Sequence, residues 1–82
     1  MTNSLILSNE LQSLAARAEA AQADPAARAA LPPAFAFIDW SDGDELADAL
    51  FEAIVETIAA SHGLDDEQTA RLGYLADQVI SI

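Results

Sequence analysis

Leu7, Leu11, Leu14, Ala18 and Ala21 recur at spacings of four, three, four and three. That rhythm lines one face of a helix. Alanine and glutamine fill most of the positions between them, and both are good helix formers. A first helix is therefore predicted from a cap at Asn3 or Ser8 to about Ala23. Asp24-Pro25 reads as a cap followed by proline at the first helical position. The short helix it opens, Ala26 to Leu31, must end before Pro32-Pro33, because proline lacks an amide donor and restricts its predecessor.

Between Ala34 and Trp40 the pattern changes. Phe35 and Phe37 alternate with Ala34, Ala36 and Ile38, a period of two that suits extended chain. A lone strand has no pairing partner, so the segment reads as a packed linker laying aromatics into the core. Pairing with Met1–Leu7 is the alternative. Capping-box spacing then occurs at Ser41/Asp44 and Asp42/Glu45. The helix that follows, to about Ser61, carries Leu46, Leu50, Ile54 and Ile58 at intervals of four, widened by Phe51 and Val55. Gly63 suits the left-handed position just past a helix end, with Leu64 as its apolar contact. Asp65 and Gln68 cap a last helix with Leu72, Leu75, Val79 and Ile82 on one side. The prediction is all-α: a small helical bundle of three main helices plus one short helix, with an extended aromatic linker at 34–40.

Composition narrows this picture. The chain has 82 residues, 52% of them apolar, but 19 of those 43 are alanine, leaving 24 large apolar side chains. That suffices for one compact acidic helical domain over residues 1–82 and is too apolar for a disordered acidic tail. Without cysteine there are no disulfides, thiolate metal sites or thiol chemistry. Met1–Leu7 has no basic residue and an apolar run of only three, so no secretory leader is expected there. No segment reaches the roughly 20 apolar residues of a membrane span. A cytoplasmic protein is expected.

Charge is the strongest signal. Fourteen acids stand against three arginines, no lysine and one histidine, a net charge of -11. Residues 1–38 hold three acids and two arginines; residues 39–82 hold eleven acids and only Arg71. Within the third helix Glu45, Asp48, Glu52 and Glu56 are spaced three, four and four apart. They fall within about 80° of one another and form an acidic ridge roughly 16 Å long. Like charges at these spacings each cost roughly 0.2–0.5 kcal/mol, so the ridge destabilises its own helix by about 1 kcal/mol.

Part of this acidity has a structural reason. Asp42, Asp44, Glu45, Asp65, Asp66 and Glu67 lie at predicted helix N-termini, where the helix dipole favours anions. Asp48, Glu52 and Glu56 are left over. A field of one sign steers an oppositely charged partner, and nucleic-acid-handling proteins present such basic surfaces. One ridge, with a charge per about 5.5 Å, is sparser than duplex DNA at roughly one per 1.7 Å. Imitation of a duplex needs a second row, which the Asp39/Asp42/Asp44 and Asp65/Asp66/Glu67 clusters would supply if the bundle brings them alongside.

Reactive chemistry is thinly represented. His62 sits at a predicted helix C-terminus, where a cation favours the helix. Ser41 and Ser61 lie in no nucleophile turn. Three arginines and a pI near 4.1 disfavour direct nucleic-acid binding, and the charge disfavours anionic membranes. The run from Asp39 to Asp44 fits no EF-hand register: a start at Asp39 puts Leu50 at position 12, and Gly43 at position 6 puts Ile38 at position 1. Acyl carriers share this size and charge, but their Asp-Ser-Leu attachment sequence is absent. The Leu7/Leu11/Leu14 stripe and Trp40 read as core.

The expected function is non-enzymatic, with no cofactor and no metal: an acidic face engaging a basic protein surface. Glu45, Asp48, Glu52 and Glu56 would form its centre, flanked by Asp42, Asp44, Asp65 and Asp66. Small phage or mobile-element inhibitors of restriction or CRISPR complexes share this size and charge as a class. The rival expectation is an acidic regulatory or assembly protein, homodimeric in one version, binding through apolar helix faces.

Overall fold

The computed structural model describes residues 4–80. Four helices form: α1 (Ser4–Ala21), α2 (Pro25–Ala29), α3 (Leu46–His62) and α4 (Asp66–Val79), with a 3-10 turn at Pro33–Phe35. No strand occurs among the described residues. Asn3 and Ile82, expected as a cap and a core residue, lie outside them. So do Met1 and Thr2 of the segment considered for strand pairing.

The apolar rhythm of α1 maps onto the core as expected. Leu7, Leu11, Leu14, Ala18 and Ala21 are all buried, so the leucine stripe is filled by this chain's own helices. Leu50 and Ile54 of α3 meet it in the centre and, with Leu11, are the largest fully buried side chains. Leu72 and Ala76 complete the core from α4, and Phe35 plugs it from the 3-10 turn. The helices α1, α3 and α4 all pack on one another. Their side chains form one bundle, 38 × 21 × 21 Å in extent. No helix of the described residues is long and apolar enough to cross a membrane.

Local chemistry sets the turns. Gly63 takes φ 63, and the amides of Gly63 and Leu64 donate to the carbonyls of Ala60 and Ala59. This paired closure leaves few orphan carbonyls at the end of α3. Asp65 and Gln68 form a reciprocal capping box that opens α4 three residues later. So short a connection makes α3 and α4 antiparallel. His62 Nε2 lies 2.5 Å from Glu10 Oε2, tying the end of α3 to the first half of α1. The histidine therefore has a carboxylate partner from another helix as well as its place at a helix end.

Three local expectations are revised. Ser8, one of the two caps expected for the first helix, lies inside α1, which is already helical from Ser4. The start of α3 carries no capping box: Glu45 is the cap residue and makes no side-chain cap bond. Instead Asp42 Oδ1 accepts from the amides of Asp44 and Glu45, both at 3.2 Å. Ser41 turns the other way, its Oγ donating to Asp39 at 2.6 Å. The linker, read as extended, begins in the 3-10 turn and continues through a turn at 36–37. A turn rotates successive side chains by far less than the 180° of a strand, so Phe35 and Phe37 do not share a side. Phe35 is buried, while Phe37 stands 95% exposed.

Candidate functional site

Helix α3 buries Leu50, Ala53, Ile54, Val55, Ile58 and Ala59 and leaves its carboxylates outside the core. Glu45, Glu52 and Glu56 are exposed, and so is Asp48. Beside them the link from Ala34 to Asp42 runs along the helix. Between link and helix lies a groove of about 260 Å³. Asp39 and Asp42 enter it from the link; Glu45, Glu52 and Glu56 enter it from α3. Its floor and lip are apolar: Ile38, Leu46 and Ala49 below, and Phe37 at the edge. Five carboxylates thus share one small concavity.

Asp48 departs from this set. It lines a second depression on the other flank of α3, with Ala47, Phe51, Asp77 and Ile80. It also lies in the first turn of α3, where the helix dipole stabilises it. The structural account of acids at helix starts therefore extends to Asp48, leaving Glu52 and Glu56 as the ridge members it does not reach. Asp44 is exposed on the approach to α3 and does not line the groove. Asp65 and Asp66 open α4, beyond the far end of α3. Asp65 is occupied there as an acceptor from the Gln68 amide at 2.8 Å. The second row of charge comes from Asp39 and Asp42, not from the 65–67 cluster.

The cations explain why these carboxylates are unneutralised. Arg28 Nε donates to the Ala21 carbonyl at 2.7 Å and its Nη2 to the Gln22 carbonyl at 2.6 Å. Its guanidinium lies 4.9 Å from the centre of the Trp40 ring, which is half-buried against the core. Arg17 donates to the Ala30 carbonyl, and Arg71 pairs with Glu67 one turn earlier in α4. All three arginines are engaged away from the groove. Among the described residues the only ion pairs are Glu10–His62 and Glu67–Arg71.

Within the groove, Asp39 has the most defined electrostatics. The hydroxyl of Ser41, and then its amide, donate to Asp39 Oδ1 and hold the carboxyl below its ordinary range. It is therefore an anion at any physiological pH. No group of three or more histidines or acids among the described residues is placed to hold a metal ion. What the arrangement offers chemically is a set of hydrogen-bond acceptors of one sign over an apolar floor, suited to cationic donors. Phe37, Asp39 and Asp77 were not singled out as site residues by sequence. The signal for Phe37 was the proline pair before it, which favours a turn over a strand.

Neither a scan of family models nor searches of curated proteins and solved structures found a significant match for this chain.

Proposed function

We propose that this is a non-enzymatic binding protein whose α3 face docks on a basic surface of a partner. In its fullest form, it inhibits a nucleic-acid-handling protein by occupying the surface where phosphates would lie. The observation that supports this is the groove itself: five carboxylates with no internal cation, in a chain whose every arginine is engaged elsewhere. Keeping such a set costs helix stability through like-charge repulsion. Capping and the helix dipole account for the acids at helix starts, but not for Glu52 and Glu56.

Magnitude limits the imitation of nucleic acid. Residues 45–56 of α3 span about 16 Å of helix axis. Glu45, Glu52 and Glu56 along it, with Asp39 and Asp42 beside them on the link, give at most roughly one charge per 3 Å, comparable to a single DNA strand at about 3.4 Å and sparser than a duplex. The face is suited to a short basic groove that tracks one strand.

The test is capture from nuclease-treated lysate at low salt, followed by release with salt or with added DNA. The bound proteins should be basic, should leave as salt rises, and should be displaced by DNA. The Glu52→Gln/Glu56→Gln protein should fail to capture them. Equal capture by that variant, or binding that persists at high salt, would overturn the proposal.

A further inference from the structure

We infer that the groove between α3 and the link seats an arginine-bearing segment of the partner, with Phe37 as the platform on which a guanidinium stacks. The inference rests on the proposed basic partner and adds which cation is recognised and by what. Phe37 lines the groove and is 95% exposed, so its ring is accessible to a planar cation. Ile38, Leu46 and Ala49 supply apolar surface for the methylene stem of a long side chain, and Glu52 and Glu56 supply acceptors for its charged end.

Arginine fits this combination better than lysine. Its guanidinium is planar, more weakly hydrated, stacks on rings and bonds carboxylates in a fork, whereas an ammonium is a compact, strongly hydrated point charge. The chain uses the same chemistry internally, where Arg28 lies over Trp40. The groove is small, about 260 Å³, so long side chains enter it while a helix some 10 Å across would lie over it.

The experiment is calorimetric titration of the full chain, at low salt, with oligo-arginine and oligo-lysine peptides of equal length. The native protein should bind oligo-arginine about 2–5-fold more tightly, the fold-change expected of an exposed cation–ring contact. Phe37→Ala should cut oligo-arginine affinity by that factor and oligo-lysine affinity by less, leaving only the preference that forked carboxylate bonds supply; the ring is 95% exposed, and a circular-dichroism melt verifies the fold. Glu52→Gln should weaken both peptides more than the charge-matched Glu19→Gln on α1. A preference undiminished by Phe37→Ala overturns the groove assignment alone, provided salt and Glu52→Gln still weaken binding. Failure of the native protein to bind either peptide removes both this assignment and the basic-partner reading.

Discussion

The corner where α1 meets α2 and the groove beside α3 carry opposite charges, and the fold treats them in opposite ways. At the corner, Arg28 is held by two carbonyls of the α1 end and by the Trp40 ring, and Arg17 reaches the Ala30 carbonyl. A cation at a helix C-terminus meets unpaired carbonyls and the negative end of the dipole. Beside α3, Glu52 and Glu56 have neither a helix start nor a cation. The contrast teaches that charge type alone does not reveal role. The corner arginines tie the fold together, whereas Glu52 and Glu56 slightly oppose it.

Removing charge from each region in turn should therefore give opposite signs. The largest effect is expected from Arg28→Ala, which leaves the Ala21 and Gln22 carbonyls without their charged donor. Hydrogen bonds to charged groups contribute roughly 1.5–3 kcal/mol when well shielded. One is partly buried and the other exposed, so about 2 kcal/mol is expected for the two together. In a domain of this size that lowers Tm by roughly 8–16 °C, which a thermal melt will register. An unchanged melt would show that the corner is as dispensable as the groove, and the contrast would be lost.

A smaller effect of the other sign is expected for Glu52→Gln/Glu56→Gln. The change relieves the Asp48–Glu52 and Glu52–Glu56 repulsions and should stabilise the fold by about 0.5–1 kcal/mol, raising the urea midpoint. Destabilisation instead would mean that these carboxylates support the fold.

The smallest concerns Asp39. Its folded-state pKa lies below the ordinary value because Ser41 donates to it. The stabilisation it contributes is thus present above the ordinary aspartate pKa of about 3.9 and is lost as pH falls through the lowered folded value. Ser41→Ala should move the Asp39 titration, followed by NMR, up toward that ordinary value. An unmoved titration would show that the turn does not tune this carboxyl.

What the sequence made legible was whatever depends on neighbours along the chain. The α1 rhythm, the proline stop after α2, Gly63 and the Asp65/Gln68 box all follow from local periodicity or local hydrogen bonding, and the structure places them so. What escaped was set by tertiary geometry. Arg28 reaches back seven residues to Ala21 around a corner, and Glu10 meets His62 across 52 positions. Alternation at 34–38 suggested a common side for Phe35 and Phe37, but a 3-10 turn, opened by Pro33, rotated one of them out. The ridge itself was readable from spacing. Its division between two flanks was not, because that depends on where the link and α4 lie against α3.

The most direct test of the central claim is residue-by-residue mapping of amide shifts in the full chain during titration with an oligo-arginine peptide. The perturbed amides should cluster at 37–56, on the link and the outer face of α3, and should return to their free positions as salt is added. Perturbation confined to α1 or α4, with the amides around Phe37, Glu52 and Glu56 unmoved, would contradict it.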